Sequence, residues 1–160
     1  MAELCLYEVD AEYTRSLYEF DDKVPQEHEQ TGQRKFVGVV FSINEYQYFA
    51  PMSSPKPKHM RLSSSMLDLH KLDGGKLGVI NLNNMIPVPL SCLRKVDVNA
   101  IQDEKYRLLL VKQLRELKKD AADIVKKAHK LYRIVVNGHS TKLQDRCCNF
   151  ALLESKARDF

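Results

Sequence analysis

From Leu110 onward, apolar residues recur at a helical interval. Leu110, Leu114, Leu117, Ala121, Ile124, Ala128, Leu131 and Val135 are separated alternately by four and three residues, the mark of one buried helical face. A single rod from Asp103 to Val136 would be roughly 50 Å long at ~1.5 Å per residue. A domain of 160 residues has a diameter of only about 40 Å, from its expected radius of gyration. The stripe therefore predicts a helix broken near Lys119–Asp120 and stopped at Gly138. Asn149 then caps a last short helix, Phe150–Arg158.

The first two thirds of the chain have a different period. Leu4–Val9 reads as a strand, and Asp10 as the N-cap of a helix over Ala11–Phe20, with Tyr13, Leu17 and Phe20 on one face. Asp21–Glu29 is a polar loop closed off by Pro25 and continued through Gln30–Gln33. In it, Asp21 and Asp22 are expected to be solvated. Phe36–Ile43 and Tyr46–Ala50 read as a hairpin about Asn44-Glu45. Gly38 marks a bulge or the close approach of another backbone. Met66–Leu72 and Leu77–Leu82 are expected strands joined by an Asp73-Gly74-Gly75 turn. Met85–Leu90, broken by Pro87 and Pro89, is at best an edge strand, and Leu93–Val98 is one more short strand. Strands first and helices last make an α+β protein, one domain over residues 1–160: an antiparallel, strongly curved sheet or small barrel with helices packed on it.

Composition narrows the chemistry by exclusion. Hydrophobic residues make up 44% and charged ones 29%, which describes a globular chain rather than a disordered one. The net charge of +4 permits an anionic partner without demanding one. No apolar run approaches the ~20 residues of a membrane span. The opening Met-Ala-Glu-Leu lacks the basic-then-apolar pattern of a leader, so a cytoplasmic protein with reduced thiols is expected. Cys5, Cys92, Cys147 and Cys148 form no C-x-x-C pair. His28, His59, His70, His129 and His139 have no metal-ligand spacing, and no carboxylate cluster suits a metal-dependent nuclease. A Gly-rich phosphate loop is missing, and no Gly-x-Ser-x-Gly elbow surrounds Ser53 or Ser54, so a serine hydrolase is not expected; nor is a cofactor.

What remains is Ala50–Lys56, Ala-Pro-Met-Ser-Ser-Pro-Lys, at the end of the hairpin. Pro51 and Pro55 bracket Ser53 and Ser54, Pro57 follows, and the backbone over these residues is stiff and non-helical. Lys56, Lys58, His59 and Arg61 gather cations beside the two hydroxyls. One reading is an exposed Ser/Pro turn; the other is a phosphate site. RNA needs no metal to be cut, because its own 2′-hydroxyl is the nucleophile. The protein must supply a base, a cation for the phosphorane and an acid for the leaving 5′-oxygen. Tyr13, Arg34 and Lys35 join the candidates for proton transfer and charge stabilisation, although the helical face of Tyr13 also makes it a core residue. Lys112, Arg115, Lys118, Lys119, Lys126, Lys127 and Lys130 flank the apolar stripe as a solvated or a phosphate-tracking face.

Several segments together resemble one family, the ToxN/AbiQ-like endoribonuclease toxins of type III toxin–antitoxin systems. They are Glu19-Phe-Asp-Asp-Lys-Val-Pro25, Ala50-Pro-Met-Ser-Ser-Pro-Lys56, Leu77-Gly-Val-Ile-Asn-Leu82 with Met85-Ile-Pro87, and Cys148-Asn-Phe-Ala-Leu-Leu-Glu154 running to Arg158-Asp-Phe160. The Ser-Pro-Lys turn and the tail are the specific parts. The resemblance implies a compact, strongly twisted antiparallel β-barrel-like core of the SH3-like, Kid/MazF-like toxin kind with peripheral helices. It implies metal-independent cleavage of mRNA and of the antitoxin precursor at A-rich sites, leaving 2′,3′-cyclic phosphate and 5′-hydroxyl ends. The partner it implies is a pseudoknot RNA antitoxin in a closed protein–RNA assembly, acting in plasmid maintenance and abortive phage infection. Carried onto this chain, Ser54 is the central hydroxyl, Ser53 its neighbour, Lys56 the contact to the scissile phosphate and Tyr13 the active-site tyrosine. Arg34 or Lys35 takes the place of a family lysine. Lys58, His59, Arg61, Lys112, Arg115, Lys118 and Lys119 are the expected RNA-binding residues. A non-catalytic RNA-binding protein, or a toxin of similar core that poisons a protein, is the alternative.

Overall fold

The computed structural model describes residues 3–26 and 34–160. The remainder of the expected polar loop, 27–33, lies outside the described residues. β1 (Cys5–Val9) ends at Asp10, whose carboxylate accepts the Glu12 N–H at 2.9 Å and starts α1 (Ala11–Tyr18) as expected. Tyr13 and Leu17 turn into the core, whereas Phe20 lies beyond the helix end, half exposed under the Lys156 ammonium. Asp21 departs from the solvated reading: it is buried, and its carboxylate accepts the N–H groups of Lys23 (3.1 Å) and Asn149 (2.6 Å). Two donors replace the water that the carboxylate loses. Asp22 is exposed, as expected.

The central hairpin is β2 (Phe36–Ile43) and β3 (Tyr46–Ser53). Its register runs from Phe36 opposite Pro51 to Gly38 opposite Phe49, then slips so that Phe41 faces Tyr48. A Cβ at Gly38 would overlap the Phe49 ring, so the glycine marks a register slip, and what comes close to it is a side chain rather than another backbone. β3 also runs past Ala50, through Pro51 to Ser53. The proline is tolerated because β3 changes partner there. β6 (Ile86–Pro87) pairs with Tyr48 and Phe49, and β5 (Val79–Ile80) pairs with Met52 and Ser53. The missing N–H of Pro51 falls at the changeover, while its carbonyl accepts the Asn81 N–H at 2.9 Å.

The strand order is β4 (His70–Lys71), β5, β3, β2, β1 and β7 (Leu93–Lys95), with β6 beside β3 and every pairing antiparallel. The sheet is open: β4 and β7 lie at its two ends and do not pair, so the expected barrel does not close. The expected strands Met66–Leu72, Leu77–Leu82, Met85–Leu90 and Leu93–Val98 are all shorter in the structure, the third pairing only at Ile86–Pro87. Before His70, the segment is held by Asp68, whose buried carboxylate meets Arg146 at 2.9 Å and whose carbonyl accepts the Asn83 N–H, in place of a ladder. Gly78, at φ +102°, ends the extended run that leads to β5. After β7, Asp97 caps a 3-10 turn through the Asn99 N–H at 3.1 Å.

The stripe forms α3 (Glu104–Lys119) and α4 (Ala121–Val136), jointed at Asp120, where φ/ψ is −97°/8°. Leu110, Leu117, Ile124, Ala128, Leu131 and Val135 are buried. The Asp120 carboxylate pairs with His70 Nε2 at 2.9 Å, and Lys127 Nζ lies 3.2 Å from Nδ1 of the same ring, tying the joint to the edge strand β4. Gly138, at φ +69°, ends α4. Two short helices were not expected: α2 (Pro57–Arg61), with proline at its first position, and α5 (Thr141–Arg146), capped by Ser140 through the Leu143 N–H. α6 (Phe150–Asp159) starts at Asn149, whose side chain accepts the Leu152 N–H at 3.2 Å. Its Glu154 accepts the hydroxyls of Tyr48 (2.5 Å) and Tyr132 (2.7 Å), inside a cluster of Phe41, Tyr48, Tyr132 and Phe150. Among the described residues no helix is long and apolar enough to cross a membrane.

Replacing Gly38 with alanine pushes a methyl into the Phe49 ring, and overpacking of this kind costs about 1–3 kcal/mol. In urea unfolding, Gly38→Ala is expected to lower stability by that amount. Adding Phe49→Leu should recover part of the loss; strictly additive losses would show that Phe49 is not its cause.

Candidate active site

The Ser-Ser-Pro-Lys corner stands where β3 leaves the sheet. Ser53 is the last residue of β3, half-buried, and its Oγ accepts a hydrogen bond from Asn81 Nδ2 at 2.7 Å. With that donor in place, the hydroxyl proton of Ser53 is left to point elsewhere. Ser54, Pro55, Lys56, Pro57 and Lys58 are all exposed, so the corner faces solvent. Lys56 is extended (φ −136°, ψ 149°) and precedes α2. Its N–H donates to His59 Nδ1 at 3.2 Å, and its carbonyl accepts the His59 N–H at 2.9 Å. Unlike its cationic neighbours, His59 is buried, only 3% exposed. Burial, and then the charges of Lys56 and Lys58, pull its pKa below the ordinary value. A neutral ring whose Nδ1 accepts is the form this corner needs.

Two glycines let the neighbouring turn press against the corner. Gly78 sits against the Ser53 carbonyl, where any Cβ would overlap the oxygen. Gly75, at φ +97°, sits against α2, where a Cβ would come 2.7 Å from the His59 carbonyl oxygen. Asn81 and these glycines are the parts of the site that sequence reasoning did not assign. Their signals were the Gly-Gly turn, which holds Gly75, and the family-like segment Leu77–Leu82, which holds Gly78 and Asn81.

The hairpin register separates Arg34 from Lys35. Met52 N–H donates to the Lys35 carbonyl at 3.0 Å, which sets Lys35 beside Met52. Arg34 stands one residue further from β2, and its Nε donates to the Gln26 carbonyl at 3.3 Å. The Lys35 ammonium meets Glu8 at 2.7 Å, and Arg94 pairs with the same carboxylate. Burial acts to raise the Glu8 pKa, but the hydrogen bonds from Lys35 and Arg94 outweigh it and the net shift is downward. Tyr13 is fully buried. Its hydroxyl donates to the Pro87 carbonyl, its ring packs edge-on against Phe160, and burial raises its pKa, so the phenol keeps its proton. Arg61 is exposed on α2, and Lys112, Arg115, Lys118 and Lys119 are exposed on α3. Lys118 pairs with Glu3 and Lys119 with Glu116. α3 reaches the turn beside the corner through Gln113, whose Nε2 donates to the Leu77 carbonyl at 2.8 Å.

Because the folded chain holds His59 neutral, with a pKa below 6.5, the unfolded chain takes up this proton first as pH falls. The contribution of the corner to stability is therefore whole above the unfolded value and declines as pH drops below it, until the folded value is passed. Unfolding midpoints measured at about pH 7.5 and about pH 5.5 should fall more in the wild type than in His59→Gln. Equal falls would remove His59 as their source.

The chain is similar to known proteins along nearly its whole length. A family model described as toxin ToxN, type III toxin–antitoxin system, matches residues 5–158. The endoribonuclease ToxN of Pectobacterium atrosepticum is 37% identical over 96% of this chain and 92% of its own length. A solved structure from a bacterial antiviral system regulated by a processed non-coding RNA superposes with a TM-score of 0.88 at 33% identity, covering 98% of both chains. Another, from a type III toxin–antitoxin system whose toxin is selectively inhibited by a non-coding RNA pseudoknot, has a TM-score of 0.86 at 32% identity, covering 99% of this chain and 98% of the other. The chain belongs to the ToxN toxin family of type III toxin–antitoxin systems.

Proposed function

We propose that this chain is an endoribonuclease that cuts RNA without a metal at the Ser53–Lys56 corner, and that a pseudoknot RNA antitoxin silences it. The observation that carries the reading is the corner itself: two hydroxyls and an ammonium on a proline-stiffened, solvent-facing turn. The ribose 2′-hydroxyl attacks the adjacent phosphorus, the bond to the 5′-oxygen breaks, and a 2′,3′-cyclic phosphate and a 5′-hydroxyl are left. Ser54 and Ser53 donate to the non-bridging oxygens, with Asn81 aiming the latter hydroxyl. Lys56 lies against the phosphate as negative charge builds on the phosphorane. Arg34 fills the place of the family lysine; as an arginine it stabilises charge and is no base. Lys35, engaged with Glu8, supports the sheet. Tyr13 reaches the RNA only by giving up Pro87, and in this reading its first task is to hold α1 against β6.

Lys58, Arg61 and the outer cations of α3, Lys112, Arg115, Lys118 and Lys119, extend a basic track for the strand, and buried His59 shapes the corner from beneath. Target mRNA and the antitoxin precursor share the track, at A-rich sites, and the mature antitoxin occludes it in a closed protein–RNA assembly in the cytoplasm. The similarity to the RNA-regulated toxin structures supports this partner. The open, bent sheet is read as a variant of the SH3-like, Kid/MazF-like toxin core, its bend supported by the slip between Gly38 and Phe41.

Incubation with A-rich RNA in EDTA should yield cyclic-phosphate ends. Ser54 is exposed, so Ser54→Ala should keep the fold while lowering the cleavage rate on the order of 10²–10³-fold, the usual loss of an aimed donor. Asn81→Ala removes one hydrogen bond from Ser53 and should slow cleavage about tenfold. RNA that is bound but left intact by the wild type would favour a non-catalytic binder, and wild-type rates in Ser54→Ala would remove that hydroxyl from the mechanism.

A further inference from the structure

Beside the corner lies a cleft of about 320 Å³, lined by Pro55, Lys56, Pro57, Met60, Gly75 and Lys76. The cleavage chemistry uses only one of these residues, Lys56. The rest of the lining is unusual for a basic surface. Its floor is apolar: two proline rings, the Met60 thioether and the backbone of Gly75. Met60 is 54% exposed, although it stands between His59 and Arg61 on a helix of five residues. The ionised groups on the lining are two ammonium groups and no carboxylate. The cleft is also held in shape from below. Lys71 Nζ donates to the carbonyls of Met60 (3.3 Å) and Leu62 (2.9 Å), fixing the end of α2. Gly75 is packed so closely on α2 that it has no room for a side chain. Rigid walls of this kind reduce the entropy lost on binding.

We infer that this cleft is a subsite for one nucleobase of the RNA strand, the base adjoining the phosphate that Lys56 holds. The inference rests on the endoribonuclease reading and assigns that site a position of base recognition. A phosphate would gain nothing from an apolar floor. A ribose could take hydrogen bonds from the two ammonium groups but has no flat face to lay on the prolines and Met60. A flat, uncharged ring with acceptor atoms on its edge suits both parts of the cleft. Its face lies on the prolines and the polarizable Met60 sulfur, and its edge accepts from Lys76. The volume is at the small end for ligand pockets and takes a single ring system. Lys56 is shared between wall and phosphate, so the base must belong to a nucleotide flanking the broken bond.

The test uses the full chain and an RNA oligonucleotide containing a site that the wild type cuts. Two further oligonucleotides carry an abasic residue on the 5′ or the 3′ side of the scissile phosphate. A stacked base contributes enough that one of the two abasic substrates should lose on the order of tenfold in kcat/KM with the wild type. The Met60→Ser/Lys76→Ala variant, altered only at exposed side chains, should lose a similar factor on intact RNA and nothing further on that abasic substrate. Wild-type rates on both abasic substrates, or equal losses in the variant with and without the base, would overturn the subsite while leaving cleavage itself in place. A wild type that cuts no RNA would instead overturn the endoribonuclease reading, and the subsite with it.

Discussion

The structure depends on how β3 satisfies its backbone. Along one edge it is paired to β2 from Tyr46 to Pro51; along the other it is shared between β6 and β5, and Pro51 stands at the point of transfer. A residue that cannot donate is placed where no acceptor waits. Ser53 is the last residue held by the ladder, and Ser54 is the first released from it. The two hydroxyls therefore straddle the boundary between the rigid sheet and the solvent-facing turn. Anything that shortened the pairing to β5 would loosen one hydroxyl relative to the other. The tight seat of Gly78 on the Ser53 carbonyl is the local price of that arrangement.

Much of this was legible in the sequence because it rests on short-range rules. The four-and-three stripe located α3 and α4, and the size of a compact domain located their joint at Asp120. Asp10 and Asn149 announced two helix starts, and the prolines announced the corner. The misses have tertiary causes. Nothing local says that Asp21 will find the Asn149 N–H far along the chain, or that Asp68 will exchange a strand ladder for Arg146. Barrel closure failed as an expectation because β4, β5 and β6 are each two residues long, too short to wrap. Asn81 lies in a family-like segment, but its bond to Ser53 appears only once β5 has been laid against β3. The Lys35–Glu8 pair was out of reach too, because it joins residues far apart in the chain.

Charge is distributed with the same economy. Among the described residues the ion pairs engage Lys35, Arg94, Lys118, Lys119 and Arg146, and none engages Lys56, Lys58, Arg61 or Lys76. The cations of the corner are exposed and have no carboxylate at hand to neutralise them. A polyanion arriving there displaces only water and mobile counterions, so its grip weakens steeply with salt. Below the corner, neutral His59 adds no further positive charge to an already crowded place.

β4 is only two residues long, yet its side chains reach in two directions. His70 joins the elbow of the helical arm through Asp120 and Lys127, while Lys71 grips the carbonyls that close α2. It works as a clasp between the arm and the corner. The arm and the corner thus belong to one cooperative unit: a fluctuation that lifts the elbow off the sheet edge also loosens the end of α2 that lines the cleft.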